Sequence, residues 1–130
     1  MKNQSLVQFA IAFIGFMAFC GEIIAQEEIC LYVNNNCQTS CTAPIKFQAC
    51  IYINDESQYC YECEYISYIP TDPDHPLCIE FNNCEAEPEG DIVILIHTED
   101  TNGHWCCAGE YEGHWNEWGE VFEVDLENWP

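Results

Sequence analysis

Cysteine is the residue that most restricts what this chain can become. There are 11 in 130 residues, and their placement matters more than their number. Cys20 lies in an N-terminal apolar stretch. The other ten follow it: Cys30, Cys37, Cys41, Cys50, Cys60, Cys63, Cys78, Cys84, Cys106 and Cys107. Residues 1–25 have the order of a secretory signal peptide. Lys2 is the positive start, residues 6–19 are almost wholly apolar, and Ala25 offers a small residue for cleavage with Ile23 upstream. A cut after Cys20, with Ala18 at the −3 position, is the alternative. An uncleaved anchor is opposed by Gly15, Gly21 and Glu22 and by the lack of a basic flank. Either cut removes Cys20, so the remaining cysteines become even in number, as a disulfide framework in an oxidising compartment requires. The expectation is a secreted, extracellular chain with five disulfides and no free thiol.

Residues 26–130 are then expected to form a single cysteine-rich acidic β domain. Five bridges at about 2–4 kcal/mol each would rival the 5–15 kcal/mol net stability of a small domain, so even a thin core would suffice. In this compartment Cys60-x-x-Cys63 is read as two structural disulfide cysteines and not as a zinc or redox motif. Adjacent Cys106 and Cys107 are expected to pair elsewhere, because a direct bridge between neighbours is strained.

Charge narrows the partners. The chain has 23 Asp and Glu against two Lys and Arg, for a net charge of −21. Beyond the leader only Lys46 is basic, facing 22 acids once Glu22 is set aside. Nucleic acid, anionic membranes and phosphorylated substrates all need positive charge nearby and are excluded as natural partners. Cationic proteins or peptides, divalent ions and neutral ligands remain. Crowded like charges should raise carboxyl pKa values on average, so folded stability should fall as pH rises through their titration range.

Hydrophobic patterning predicts strands. Residues 29–33 and 45–53 are rich in β-branched and aromatic side chains. Residues 58–69 alternate, with Tyr59, Tyr61, Cys63 and Tyr65 on one face and Glu62 and Glu64 on the other, which marks a half-buried strand. Three prolines make residues 70–76 a loop. A short strand at 77–81 and an acidic loop at 82–90 precede the apolar run 92–96, which turns at Asn102-Gly103 toward Trp105. Residues 108–119 are aromatic and broken by glycine. Residues 120–126 place Phe122, Val124 and Leu126 on one face of a last strand. The fold class expected is all-β, mainly antiparallel: a small disulfide-stapled sandwich or barrel-like domain.

No catalytic signature is present. Ser40, Ser57 and Ser67 lack a nucleophile-elbow context, so a non-enzymatic role is expected, with no cofactor. His97, His104 and His114 lie among acids, but their spacing fixes no metal geometry, and no metal site is assigned. Residues 98–103, TEDTNG, share Asp100, Asn102 and Gly103 with a calcium loop. They lack the acids expected at Thr98 and Gly109, which leaves only weak, diffuse calcium association. The ligand-binding candidates are the late aromatics and their neighbouring acids: Trp105, Tyr111, Trp115, Trp118, Glu110, Glu112 and Glu117, with Trp129 nearby. Aromatics beside carboxylates stack on sugar rings or hold Lys and Arg. They also serve as core in a domain poor in Leu and Met.

Asp72-Pro73-Asp74 followed by Cys78-x5-Cys84 with internal Phe81 resembles the middle of a peritrophin-type chitin-binding module. The likeness covers residues 72–84, and the next cysteine of that pattern is missing. Cys106-Cys107 resembles the pair in single-domain von Willebrand factor C-like secreted proteins, again without the cysteine that should follow. The expected function is capture of a cationic protein or peptide by a secreted, highly acidic binding protein. The alternatives are a neutral, chitin-like polysaccharide ligand or a calcium-associating extracellular matrix role.

Overall fold

The computed structural model describes residues 27–38 and 45–129. The expected signal peptide and Cys41 lie outside them. Seven strands follow in chain order: β1 (Glu28–Asn35), β2 (Lys46–Asn54), β3 (Tyr59–Ile66), β4 (Leu77–Glu80), β5 (Gly90–Glu99), β6 (Trp105–Trp115) and β7 (Val121–Asn128). No helix occurs among the described residues. One sheet takes all seven, in the order β3-β2-β5-β6-β7-β1-β4. Every neighbouring pair is antiparallel except β1 and β7, which run parallel because the first strand slots between the last strand and β4.

The sheet curls into a nearly closed barrel. The inward residues are Ile29, Leu31 and Val33 of β1, Phe47, Ala49, Ile51 and Ile53 of β2, Ile92, Ile94 and Ile96 of β5, and Phe122, Val124 and Leu126 of β7. These alternate with outward residues, as a strand's two-residue period demands. At about 1.5–3 kcal/mol per fully buried aliphatic or aromatic side chain, this core is not thin. Curling buries the whole inward face of each central strand, which a sequence-level expectation of a small stapled core does not anticipate. Trp115 seals one end. It is fully buried, edge-on to Trp118 at 4.8 Å, and Trp118 rests on Phe81 at 5.7 Å.

The glycine-broken segment after Cys107 is β strand to Trp115, longer than its composition suggests. Gly109 explains part of this: a Cβ there would overlap the backbone oxygen of Asp125, so β7 approaches β6 at a place only glycine allows.

β3 and β4 end the sheet on either side of a seam with no hydrogen-bonded ladder across it. Cys60–Cys84 spans that seam. Cys30–Cys78 joins paired residues of β1 and β4, Cys50–Cys63 joins paired residues of β2 and β3, and Cys37–Cys107 ties the segment after β1 to β6. Cys106 is also disulfide-bonded. Cys60 and Cys63 therefore pair apart from one another, and so do Cys106 and Cys107.

Candidate functional site

The outward face of β3, β2, β5 and β6 is unusually apolar for a surface. The strand registers define its rows. Tyr61, Tyr52, Val93 and Glu112 lie side by side, then Cys63, Cys50, Leu95 and Glu110, then Tyr65, Gln48, His97 and Ala108. Tyr59, Tyr61, Tyr65, Leu95, Trp105 and Trp129 are each 40–60% exposed. Tyr52 stacks on Tyr61 at 5.6 Å and on Tyr59 at 6.4 Å. Lys46, the one Lys or Arg among the described residues, sits over the Tyr65 ring at 5.1 Å.

The alternation in β3 is real, yet the tyrosine-bearing side is the exposed one. Cys60 and Ile66 turn inward, together with Glu62 and Glu64. The cause is position. β3 ends the sheet, so its inward parity overhangs the seam, where carboxylates still reach water. Inward charge on an edge strand also discourages pairing with a stray strand. The sequence displays this tyrosine row but gives no sign of which side faces out.

At the other side of the face lies a cleft of about 320 Å³ lined by Leu95, Ile96, His97, Trp105, Ala108, Gly109, Glu110, Asn128 and Trp129. Trp105 and Trp129 stand 4.9 Å apart with their planes inclined by 57°. His97 is buried and lies flat beneath Trp105, at 3.9 Å and 9°. Its Nε2 hydrogen-bonds to Glu99 Oε2 at 2.6 Å, which fixes the imidazole and through it the indole. Glu110 and Glu112 share the outward side of β6. The hydrogen bond that a protonated Glu110 donates to Glu112, and the negative charge of Glu112, raise the Glu110 carboxyl above its ordinary pKa.

The late aromatics and acids named from the sequence divide into two groups. Trp105, Glu110 and Glu112 stand on this face. Trp115 is sealed in the core and has no surface to offer, Trp118 is half-buried against it, and Tyr111 is half-buried on Phe122 at 5.2 Å. Glu117 is exposed in the β6–β7 turn, away from the face. Trp129 joins the face because the strand register carries the chain end back to β6, where its N–H donates to the Cys106 carbonyl.

The histidines do not converge. His97 pairs with Glu99, His104 lies near Asp100, and His114 is exposed. Asp100 of the TEDTNG stretch is occupied by its own turn: Oδ1 accepts the N–H groups of His104 and Asn102, and these bonds lower its pKa. Glu28, Cys30 and Cys78 bring one potential ligand atom each within 4.8 Å, but the two sulfurs are bonded to each other.

No family model and no curated protein matches this chain. A crystal structure of a DUF4876 family protein from Bacteroides thetaiotaomicron overlies 78% of the chain with a TM-score of 0.45 and 6% identity. The chain spans 23% of that protein's length. So distant a likeness carries no argument, and function must come from the site itself.

Proposed function

We propose that this is a secreted, non-enzymatic binding protein that captures a cationic protein or peptide. The observation that carries this reading is the exposed tyrosine, leucine and tryptophan face, rimmed by Asp91, Glu99, Glu110 and Glu112, on a chain of net charge −21. Contiguous exposed apolar surface marks an interaction site, and surrounding acid selects a partner of opposite sign. The framework of disulfides fits an extracellular setting.

The exposed indoles of Trp105 and Trp129 support a second reading, stacking on a neutral chitin-like polysaccharide. Salt separates the two. Capture by ion pairs weakens with ionic strength, and ring stacking on a sugar does not. The test is retention of the oxidised protein on immobilised basic peptide and on chitin, each at low and high salt. Salt-sensitive retention on the peptide and none on chitin is the expected result. Salt-resistant binding to chitin alone would replace the first reading with the second.

A further inference from the structure

We infer that the cleft lined by the Trp105–Trp129 pair and Glu110 holds one organic cation, the guanidinium or ammonium end of an arginine or lysine side chain of the partner. This rests on the cation-capture reading and adds to it a defined anchor.

Three features of the cleft lead there. The first is shape. The two indoles touch, with centroids 4.9 Å apart and planes inclined by 57°, and His97 covers one face of Trp105, so they form one bent aromatic wall with no flat open platform for a sugar ring. The volume, about 320 Å³, is that of a small ligand. Ala108, on the outward side between Trp105 and Glu110, is too small to fill it.

The second is charge. Aromatic faces attract cations through their quadrupole, and Glu110 on the lining supplies a full negative charge. Glu110 and Glu112 repel each other as the protein stands, so a cation settling beside them relieves that repulsion. Of the ionisable groups around the cleft, Glu110 is on its lining, Glu99 is hydrogen-bonded to His97, and Lys46, beside Glu99 in register, lies over the Tyr65 ring. The third is preorganisation. The His97–Trp105 stack, pinned by Glu99, holds one wall in place before any ligand arrives, which reduces the ordering cost of binding. The same face already seats one cation on an aromatic ring, Lys46 on Tyr65.

The test uses three peptides of one sequence, bearing arginine, lysine or uncharged citrulline, titrated into the oxidised protein by calorimetry. Trp129→Ala and Glu110→Gln are the variants. Both positions are exposed, and the backbone bond from Trp129 to Cys106 survives the substitution. The charged peptides should bind and the citrulline peptide should not. Each variant should weaken binding roughly tenfold, the range of a desolvated cation–π contact or a charge-assisted bond. If the variants bind the charged peptides as tightly as wild type, the cleft assignment falls while cation capture stands. If wild type binds neither charged peptide, both fall. Competition by a chitin oligomer at the cleft would overturn the cationic assignment.

Discussion

The seam between β3 and β4 makes the Cys60–Cys84 bridge the most informative one to remove. Its two cysteines are separated by 24 residues, and no other bridge offers a shorter path between them. Chain-entropy reasoning gives about 3–4 kcal/mol for closing such a loop. Both sulfurs are also buried, so a Cys60→Ala/Cys84→Ala variant loses roughly 1 kcal/mol of packing in addition. The six strand ladders do not depend on this bridge, so the far-UV strand signal should persist. Urea unfolding without reductant is the assay. With a slope of about 1–2 kcal/mol/M, the midpoint should drop by roughly 2–5 M. Removing Cys50–Cys63, whose separation is 13, should lose about 0.5 kcal/mol less from loop entropy, since that term grows only with the logarithm of length. A loss below about 1 kcal/mol for the seam variant would refute the reasoning, because packing alone would then close the barrel. Disappearance of the strand signal would refute it differently, by showing that the sheet cannot form without the bridge.

Stability should peak in the mid-acid range at low salt. Hydrogen bonds from Glu87 and Ser57 hold Asp55 down to about 2, a bond from His75 lowers Asp72, and backbone bonds from His104 and Asn102 lower Asp100. Their contribution is present above the ordinary value of 3.8 and is lost as pH falls. Glu110 is raised, so its contribution is present below 4.5 and lost as pH climbs. Urea midpoints across this range would check it. Asp55→Asn should flatten the acid limb and added NaCl the other, whereas a monotonic rise toward neutral pH contradicts the high-pH half. Trp115→Ala should cost about 3–5 kcal/mol as a fully buried aromatic, and half-buried Trp118→Ala should cost visibly less in the same denaturation series. Peptide mapping of the unreduced protein should recover Cys30–Cys78, Cys37–Cys107, Cys50–Cys63 and Cys60–Cys84 and find no alkylatable thiol.

Much of the fold was legible in the sequence because strand formation is local. Ile92, Ile94 and Ile96 alternate with Val93 and Leu95, and Phe122, Val124 and Leu126 with Glu123 and Asp125, so those strands could be read residue by residue. The all-β class followed, as did the separate pairing of Cys106 and Cys107. Like-charge crowding, the expectation from composition, does not govern every carboxylate: Asp55, Asp72 and Asp100 have specific partners, and those of Asp55 reach from Ser57 and Gln58 to Glu87 across the chain.

The site was much less legible. Trp105, Trp115, Trp118 and Trp129 are alike in composition and neighbourhood, yet one seals the core, one leans on it, and two flank a cleft. Sequence determines that β3 alternates. Only the closure of the sheet decides that β3 lies at its end, where glutamates tolerate the inward side and tyrosines are left facing water. A strand's period is set by its own backbone. The direction its faces point is set by what the neighbouring strands cover, and no residue carries that information alone.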